Sequence, residues 1–445
     1  MRFCRNWLVF VTLFCAISQI AQAKLEPLRS IPLIGELRAY EYRLTNGLNV
    51  FITPNPRAPL VSVYHWVKAG SLHEKPGVTG IAHLFEHMMF RPIRKGEVGF
   101  FDHLGKLGGT ANANTRFMAT VYTSSVPAAR LDQLLRLESQ RFQELKVDKD
   151  LLNVERKAVW SEYSSKFDSS PIIDLWYTIY QRAFPGHPYG WTVIGERGDL
   201  EKITAEDCND YFAKYYRPNN TGLFIAGDVN KEQVIEWIEN YYGKWEKGVD
   251  SSAPLEFKYD GKSIAAEGRL PGEARNLLIG FRFPEYTPDN QQFMNLAIAM
   301  LTSSGYSLGQ RRLVNDLKLA SLASDFNNDY DSGMLKLFLV LLPQSNVQQV
   351  IKEILNFPEF ISKMHEDEFK AYLNDFIIHT HESSLRNESL NENMALSWGK
   401  WGKIDYFSKV LNKDFYVRRD EFVNFLKKYI REDNLIAVSS REKTK

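Results

Sequence analysis

The chain has 445 residues, 55 Lys and Arg against 54 Asp and Glu, a formal charge of +1 and 44% hydrophobic residues. That balance excludes a disordered chain and a basic nucleic-acid binder. The length exceeds what one hydrophobic core usually serves, so two or more domains are expected.

The first 23 residues stand apart. Arg2 and Arg5 precede the apolar run "LVFVTLFCAI", and Ala21-Gln22-Ala23 follows a short polar stretch. A basic head, an apolar middle and a small-x-small end are the parts of a secretory signal peptide, with cleavage expected after Ala23. The run is too short for a membrane anchor, and no later segment is apolar for long enough to span a bilayer. Removal of Arg2 and Arg5 takes the charge from +1 to −1 and leaves Cys208 as the one cysteine, so no intrachain disulfide is expected. The bacterial look of this segment places the protein in the periplasm.

Further on, "YEYRLTNGLNVFITPN" alternates around Thr45-Asn46-Gly47 and reads as a hairpin, and "PLVSVYHWVKAGS" as a strand. "GVTGIAHLFEHMMF" carries apolar residues on a 3.6-residue period and predicts a helix. "GGTANANTRFMATVYTSSV" returns to strand composition, and helices are expected across "AARLDQLLRLESQRF" and "DLLNVERKAVWSEYSS". "YRPNNTGLFIAGDV" is a turn feeding a strand. Residues 247–265 are polar and turn-rich, which marks a linker. Beyond them "NLLIGFRFP", "NQQFMNLAIAML" and "GMLKLFLVLLP" repeat the strand and helix order of the first half. The expected fold is α+β, with a signal peptide at 1–23 and domains at 24–246 and 266–445.

The chemistry is concentrated in "GIAHLFEHMMF". His83 and His87 are four apart and share a helix face, so both rings can meet one ion. Glu86 is near enough to reach a water on that ion. Imidazole nitrogens suit zinc, which in catalytic sites takes three protein ligands and a water. His-x-x-Glu-His arises by chance in a chain of this size on the order of one time in a hundred, and it reverses the order of His-Glu-x-x-His. In "NVERKAVWSEYS", Glu155 and Glu162 lie two helical turns apart on one face, and either could be the third ligand. Solvated acids on a charged helix are the bland alternative.

His83-Leu-Phe-Glu86-His87 with Glu155-x-x-x-Val159-x-x-Glu162 resembles the pitrilysin-type (inverzincin, M16) metallopeptidases. The resemblance extends through "KAGSLHEKPGVTG", "GGTANANTRFMATVYTSS", "FPGHPYGWTVIG" and "YYRPNNTGLFIAGDV", in the family's order. It implies two homologous α/β-sandwich domains of the pitrilysin and mitochondrial-processing-peptidase type, one Zn2+ held by His83, His87 and Glu162, Glu86 as general base and Glu155 supporting the site. It places Asn112 and Ala113 beside the backbone of a bound peptide. It implies a zinc metalloendopeptidase that hydrolyses peptides or unfolded segments in a chamber closed by a second chain, as a homodimer or heterodimer.

One feature departs from the family pattern. Many members carry an Arg and a Tyr seven apart in the C-terminal domain, and the aligned positions here are Val314 and Ser321. Tyr306, Arg311 and Arg312 are near but wrongly spaced. Division of labour with a partner that supplies the pair is therefore expected. The competing readings are a non-catalytic assembly subunit and a zinc-stabilised peptide carrier. His187 is read as structural, His379 and His381 as a weak pair facing different ways, and His65, His73, His103 and His365 have no evident partner.

Overall fold

A computed structural model describes residues 25–250 and 274–441, apart from 58, 94–95, 166–170, 284–286, 303–305, 329–332, 407–410 and 412–415. The expected signal peptide and most of the expected linker lie outside the described residues.

The first half forms strands β1 (Arg29–Pro32), β2 (Arg38–Arg43), β3 (Asn49–Pro54), β4 (Leu60–Val67), β5 (Thr110–Thr115), β6 (Thr120–Pro127) and β7 (Thr221–Gly227). Its helices are α1 (Ile81–Met88), α2 (Phe100–Lys106), α3 (Leu131–Glu144), α4 (Lys149–Tyr163), α5 (Pro171–Ala183), α6 (Arg197–Leu200), α7 (Ala205–Tyr215) and α8 (Lys231–Tyr242). The sheet order is β1-β2-β3-β7-β4-β6-β5, so β5 is an edge strand. The hairpin read around Asn46-Gly47 is β2 with β3, Arg43 opposite Asn49. Among the described residues the one parallel pairing in this sheet, β3 with β7, joins segments some 170 residues apart and was not read from the sequence.

The second half contributes β8 (Ala274–Phe283), β9 (Ser321–Asn328), β10 (Gly333–Val340) and β11 (Leu435–Arg441), in the order β11-β8-β10-β9. Around them lie α9 (Pro288–Thr302), α10 (Val347–Leu355), α11 (Phe357–Ser362), α12 (Glu366–Ser383), α13 (Asn387–Trp401) and a helix at Arg419–Tyr429. Both halves are therefore sheets faced by helices, the first mixed and the second antiparallel in each described pairing, which makes the two-domain α+β fold expected above.

Each sheet buries one face under its own helices and the other under a helix of the opposite half. α13 crosses β4 and β7, while α5 crosses β8 and β11. A core shared by the halves results, with Phe51, Trp66 and Phe224 from the first meeting Leu278, Met394 and Trp398 from the second. The fit at α13 is close and reciprocal. The Trp398 ring lies on Gly222, and the Trp66 ring lies so near Gly399 that an added Cβ would stand 2.6 Å from it. Polar ties run alongside: the Asn387 side-chain amide donates to Leu60 O at 3.0 Å, and that of Asn391 to Ser62 O at 2.9 Å.

The inner face of the first sheet holds a buried polar cluster. His65 Nε2 meets the Tyr242 hydroxyl at 2.9 Å, and its ring stacks on Phe142. The Glu138 carboxylate lies 3.9 Å from His65 Nδ1 and accepts from Ser124 Oγ and Arg141 Nε, each at 2.6 Å. Burial, helped by the Arg141 charge, lowers the His65 imidazole to about 4 despite Glu138.

Two outcomes are expected. Alanine at 399 gains helix propensity, but overpacking against Trp66 should destabilise the fold by about 1–3 kcal/mol, read as a lower urea midpoint. His65 is neutral when folded and protonates near 6.5 when unfolded, so its contribution is complete above pH 6.5 and is lost as pH falls toward 4. Urea titrations should show up to about 3 kcal/mol lost over that window, with a shallower loss in His65→Gln.

Candidate metal and catalytic site

α1 is short and apolar on most of its surface: Ile81, Ala82, Leu84, Phe85 and Met88 are buried. Its first turn is tied down by the buried Glu74, whose carboxylate accepts from the amides of Gly80 at 2.9 Å and Ala82 at 3.0 Å. With the apolar residues turned inward, His83, Glu86 and His87 share the remaining face. α4 begins with Asp148 capping the Leu151 amide at 2.8 Å and buries Leu152, Glu155 and Val159. It packs against α1, and two turns bring Glu162 to the same side as Glu155.

His83, His87 and Glu162 converge, each offering a donor atom within 4.8 Å of the others. Glu162 Oε2 lies 3.6 Å from His83 Nε2 and 3.4 Å from His87 Nε2. Donors about 2.1 Å from a tetrahedral zinc stand about 3.4 Å apart, so these atoms fit the edges of such a site. They are partly open, with 11%, 26% and 27% of the side-chain surface of His83, His87 and Glu162 exposed, which leaves an approach for a further ligand.

Glu155 plays a different part. It is buried, and its Oε2 is 3.7 Å from His87 Nδ1, the nitrogen turned away from Glu162. Its other oxygen pairs with Arg91 Nε at 2.5 Å. The spacing alone left Glu155 and Glu162 equivalent; the structure separates them, Glu162 toward both Nε2 atoms and Glu155 behind His87. Glu155 first and then Glu162 push the His87 imidazole up to about 9. Glu86 is held by Thr115, whose Oγ1 donates to its Oε2 at 2.5 Å, and burial raises its carboxyl.

Asn112 and Ala113 lie on β5, two to three residues before Thr115. Asn112 is exposed, and Ala113 is half-buried against the N-terminal core. β5 runs beside α1 with its outer edge at the end of the sheet. Thr115 and Arg91 were not read from the sequence. Arg91 follows His87 by one helical turn, a spacing that could have drawn attention to it.

The remaining positions lie elsewhere. Val314 packs partly against the C-terminal core, and Ser321 opens β9. Arg311 pairs with Glu368 at 2.8 Å and with the Tyr372 hydroxyl, and Arg312 pairs with Glu353. His187 accepts the Tyr189 amide in a tight turn, and His379 pairs at the surface with Asp375 and Glu382. His365 caps α12 and His73 accepts the Gly70 amide, so these two have local partners that the sequence did not reveal.

Residues 49–194 match the family model described as Insulinase (Peptidase family M16), and residues 202–376 match the model of the Peptidase M16 inactive domain. The chain belongs to peptidase family M16. Zinc protease PqqE of Helicobacter pylori is 29% identical over 327 residues, covering 72% of this M16 chain and 74% of its own length. The crystal structure of a protease from Helicobacter pylori aligns with a TM-score of 0.78 at 23% identity, over 90% of this chain and 98% of that one. The periplasmic protease PqqL from Escherichia coli aligns with a TM-score of 0.71 at 16% identity, over 92% of this chain but 48% of its own. This M16 chain thus spans about half the length of that protease.

If Glu162 is a direct ligand and Glu155 only orients His87, their removal should differ in degree. Glu155→Gln should weaken zinc binding by about 10- to 100-fold and Glu162→Gln by more, measured by competition with a chromophoric chelator. Equal losses would place both carboxylates in the same role.

Proposed function

We propose that the chain is an exported zinc-dependent endopeptidase acting on peptides or unfolded protein segments inside a chamber closed by a second chain of the same type. The observation that carries this reading is the convergence of His83, His87 and Glu162 with Glu86 alongside. Export rests on the basic, apolar and small-x-small segments of residues 1–23. The periplasm is the compartment proposed, and it is where the PqqL relative is described as working.

His83, His87 and Glu162 would hold the ion, which when bound supplies Lewis-acid activation of water and of a peptide carbonyl. Glu86 is placed to take the proton from the attacking water and to return it to the amine nitrogen as the C–N bond breaks. Glu155 and Arg91 keep His87 facing the site. The outer edge of β5, Asn112 and Ala113 included, offers backbone donors and acceptors to an extended peptide. The alignment with one half of PqqL supports a chamber closed by a second unit of this kind.

A second reading, a subunit that depends on its partner for activity, is favoured by one observation. Val314 and Ser321 stand where many family members carry Arg and Tyr.

Purified protein of residues 24–445 is expected to hold about one zinc per chain and to cleave quenched peptides. Glu86→Gln should keep the zinc and lose activity by at least about 100-fold. Zinc without cleavage in the unmutated protein would support the partner-dependent subunit, and absence of zinc would sink both readings.

A further inference from the structure

We infer that Thr115 is the positioning residue for Glu86, so that the strand on which a peptide would dock also sets the orientation of the proton acceptor. The inference rests on the reading of Glu86 as general base and adds to it a residue to which neither the motif nor the family comparison assigns a part.

Glu86 reaches out from α1 on a side chain with three rotatable bonds, and nothing within a helix fixes such a carboxylate. Thr115 does so from a separate element. Its hydroxyl donates to Oε2 at 2.5 Å, the short distance of a hydrogen bond to an ionised acceptor. Held on Oε2 by the Thr115 hydroxyl, with the Thr115 backbone amide as a further donor, the carboxylate is restricted in rotation.

Thr115 is itself rigidly placed. It is buried, ends β5 opposite Thr120 on β6, and is followed by a tight loop in which the Arg116 amide donates to Ala119 O at 2.7 Å. The Arg116 side chain is anchored from the other half of the molecule. Its Nη2 pairs with Glu392 Oε1 of α13 at 2.7 Å, its Nε donates to Asn114 Oδ1 at 3.2 Å, and its guanidinium lies over Trp66. Ser125, on the neighbouring β6, donates to Glu388 of the same helix at 3.2 Å. The half without the histidines thereby steadies the strand that holds the base, and an extended peptide pairing along β5 would steady it further. A purely structural hydroxyl would explain the burial of Thr115 but not its choice of a half-buried carboxylate at the site as acceptor.

The test compares Thr115→Val with Thr115→Ser. Valine keeps the shape and the backbone amide and removes the hydroxyl; serine keeps the hydroxyl as well. In Thr115→Val, kcat should fall about 10- to 100-fold while zinc content stays near one per chain and KM shifts by less than about 2-fold. Thr115→Ser should recover kcat to within about 3-fold of the unmutated protein. An unchanged kcat in Thr115→Val, or an equal loss in both variants, would overturn the inference.

Crystal structures of the unmutated and Thr115→Val proteins provide a readout independent of turnover. The Glu86 carboxylate should turn from its position in the valine variant, and an unmoved carboxylate would overturn the inference even if the chain cleaves nothing alone. Retained cleavage in Glu86→Gln would instead defeat the proposed mechanism, and the Glu86 orientation would still decide the part played by Thr115.

Discussion

Helices α1 and α4 can pack only where their apolar stripes meet, and that contact leaves the polar remainder of one facing the polar remainder of the other. The arrangement is costly in isolation. Three carboxylates gathered at the border of a core repel one another, and they and the two imidazoles lose hydration. It persists because each group has an assigned neighbour: Glu155 is neutralised by Arg91, Glu86 is hydrogen-bonded by Thr115, and Glu162 lies against both imidazoles. With both histidines neutral, as metal ligands must be, three carboxylates and one guanidinium leave a local charge of about −2, which a divalent cation would balance.

The geometry of that pairing is underwritten from outside the first half. Neither sheet could stay in water on its outer face, since Phe51 and Phe224 in one and Leu278 and Met334 in the other are buried residues of the shared core. Exchange of α5 and α13 covers both faces with one shared core and makes the halves mutually dependent. It also brings Glu388 and Glu392 to the β5-β6 hairpin. A domain with no part of the histidine motif thereby acts on the edge of the candidate site through two side-chain contacts.

Local periodicity made much of this legible. β2, β3, β4, α1 and the strand composition of the β5-β6 segment follow from alternation, turn residues and a 3.6-residue period, and the metal pair follows from a four-residue spacing on a helix. What escaped depends on contacts remote in sequence. α13 shows why. Asn387, Asn391, Ser397, Trp398 and Lys400 are all buried there, so the helix carries no clean apolar stripe. The side-chain amides of Asn387 and Asn391 donate to Leu60 O and Ser62 O, more than 320 residues away, and no window of sequence contains both partners. The parallel pairing of β3 with β7 was missed for the same reason. Thr115 looked like one more β-branched strand residue, and only the approach of α1 gives its hydroxyl a particular acceptor.

Charge also bears on the partner. On the proposed reading, attack on a peptide carbonyl develops negative charge at its oxygen, close to carboxylates that already outnumber the neighbouring guanidinium. Arg91 is committed to Glu155. Arg311 and Arg312, the arginines nearest in sequence to the positions where the family carries its Arg/Tyr pair, are committed to Glu368 and Glu353 within the C-terminal half. Releasing either to a substrate would give up an ion pair and move a side chain anchored on Tyr372 or Phe360. A second chain facing the site can bring a donor with no such prior commitment, and it can exclude water from the cleft at the same time, which strengthens any charge interaction it makes there. On the proposed reading, the charge of the site and the prior pairing of these arginines thus both favour a donor brought by a partner.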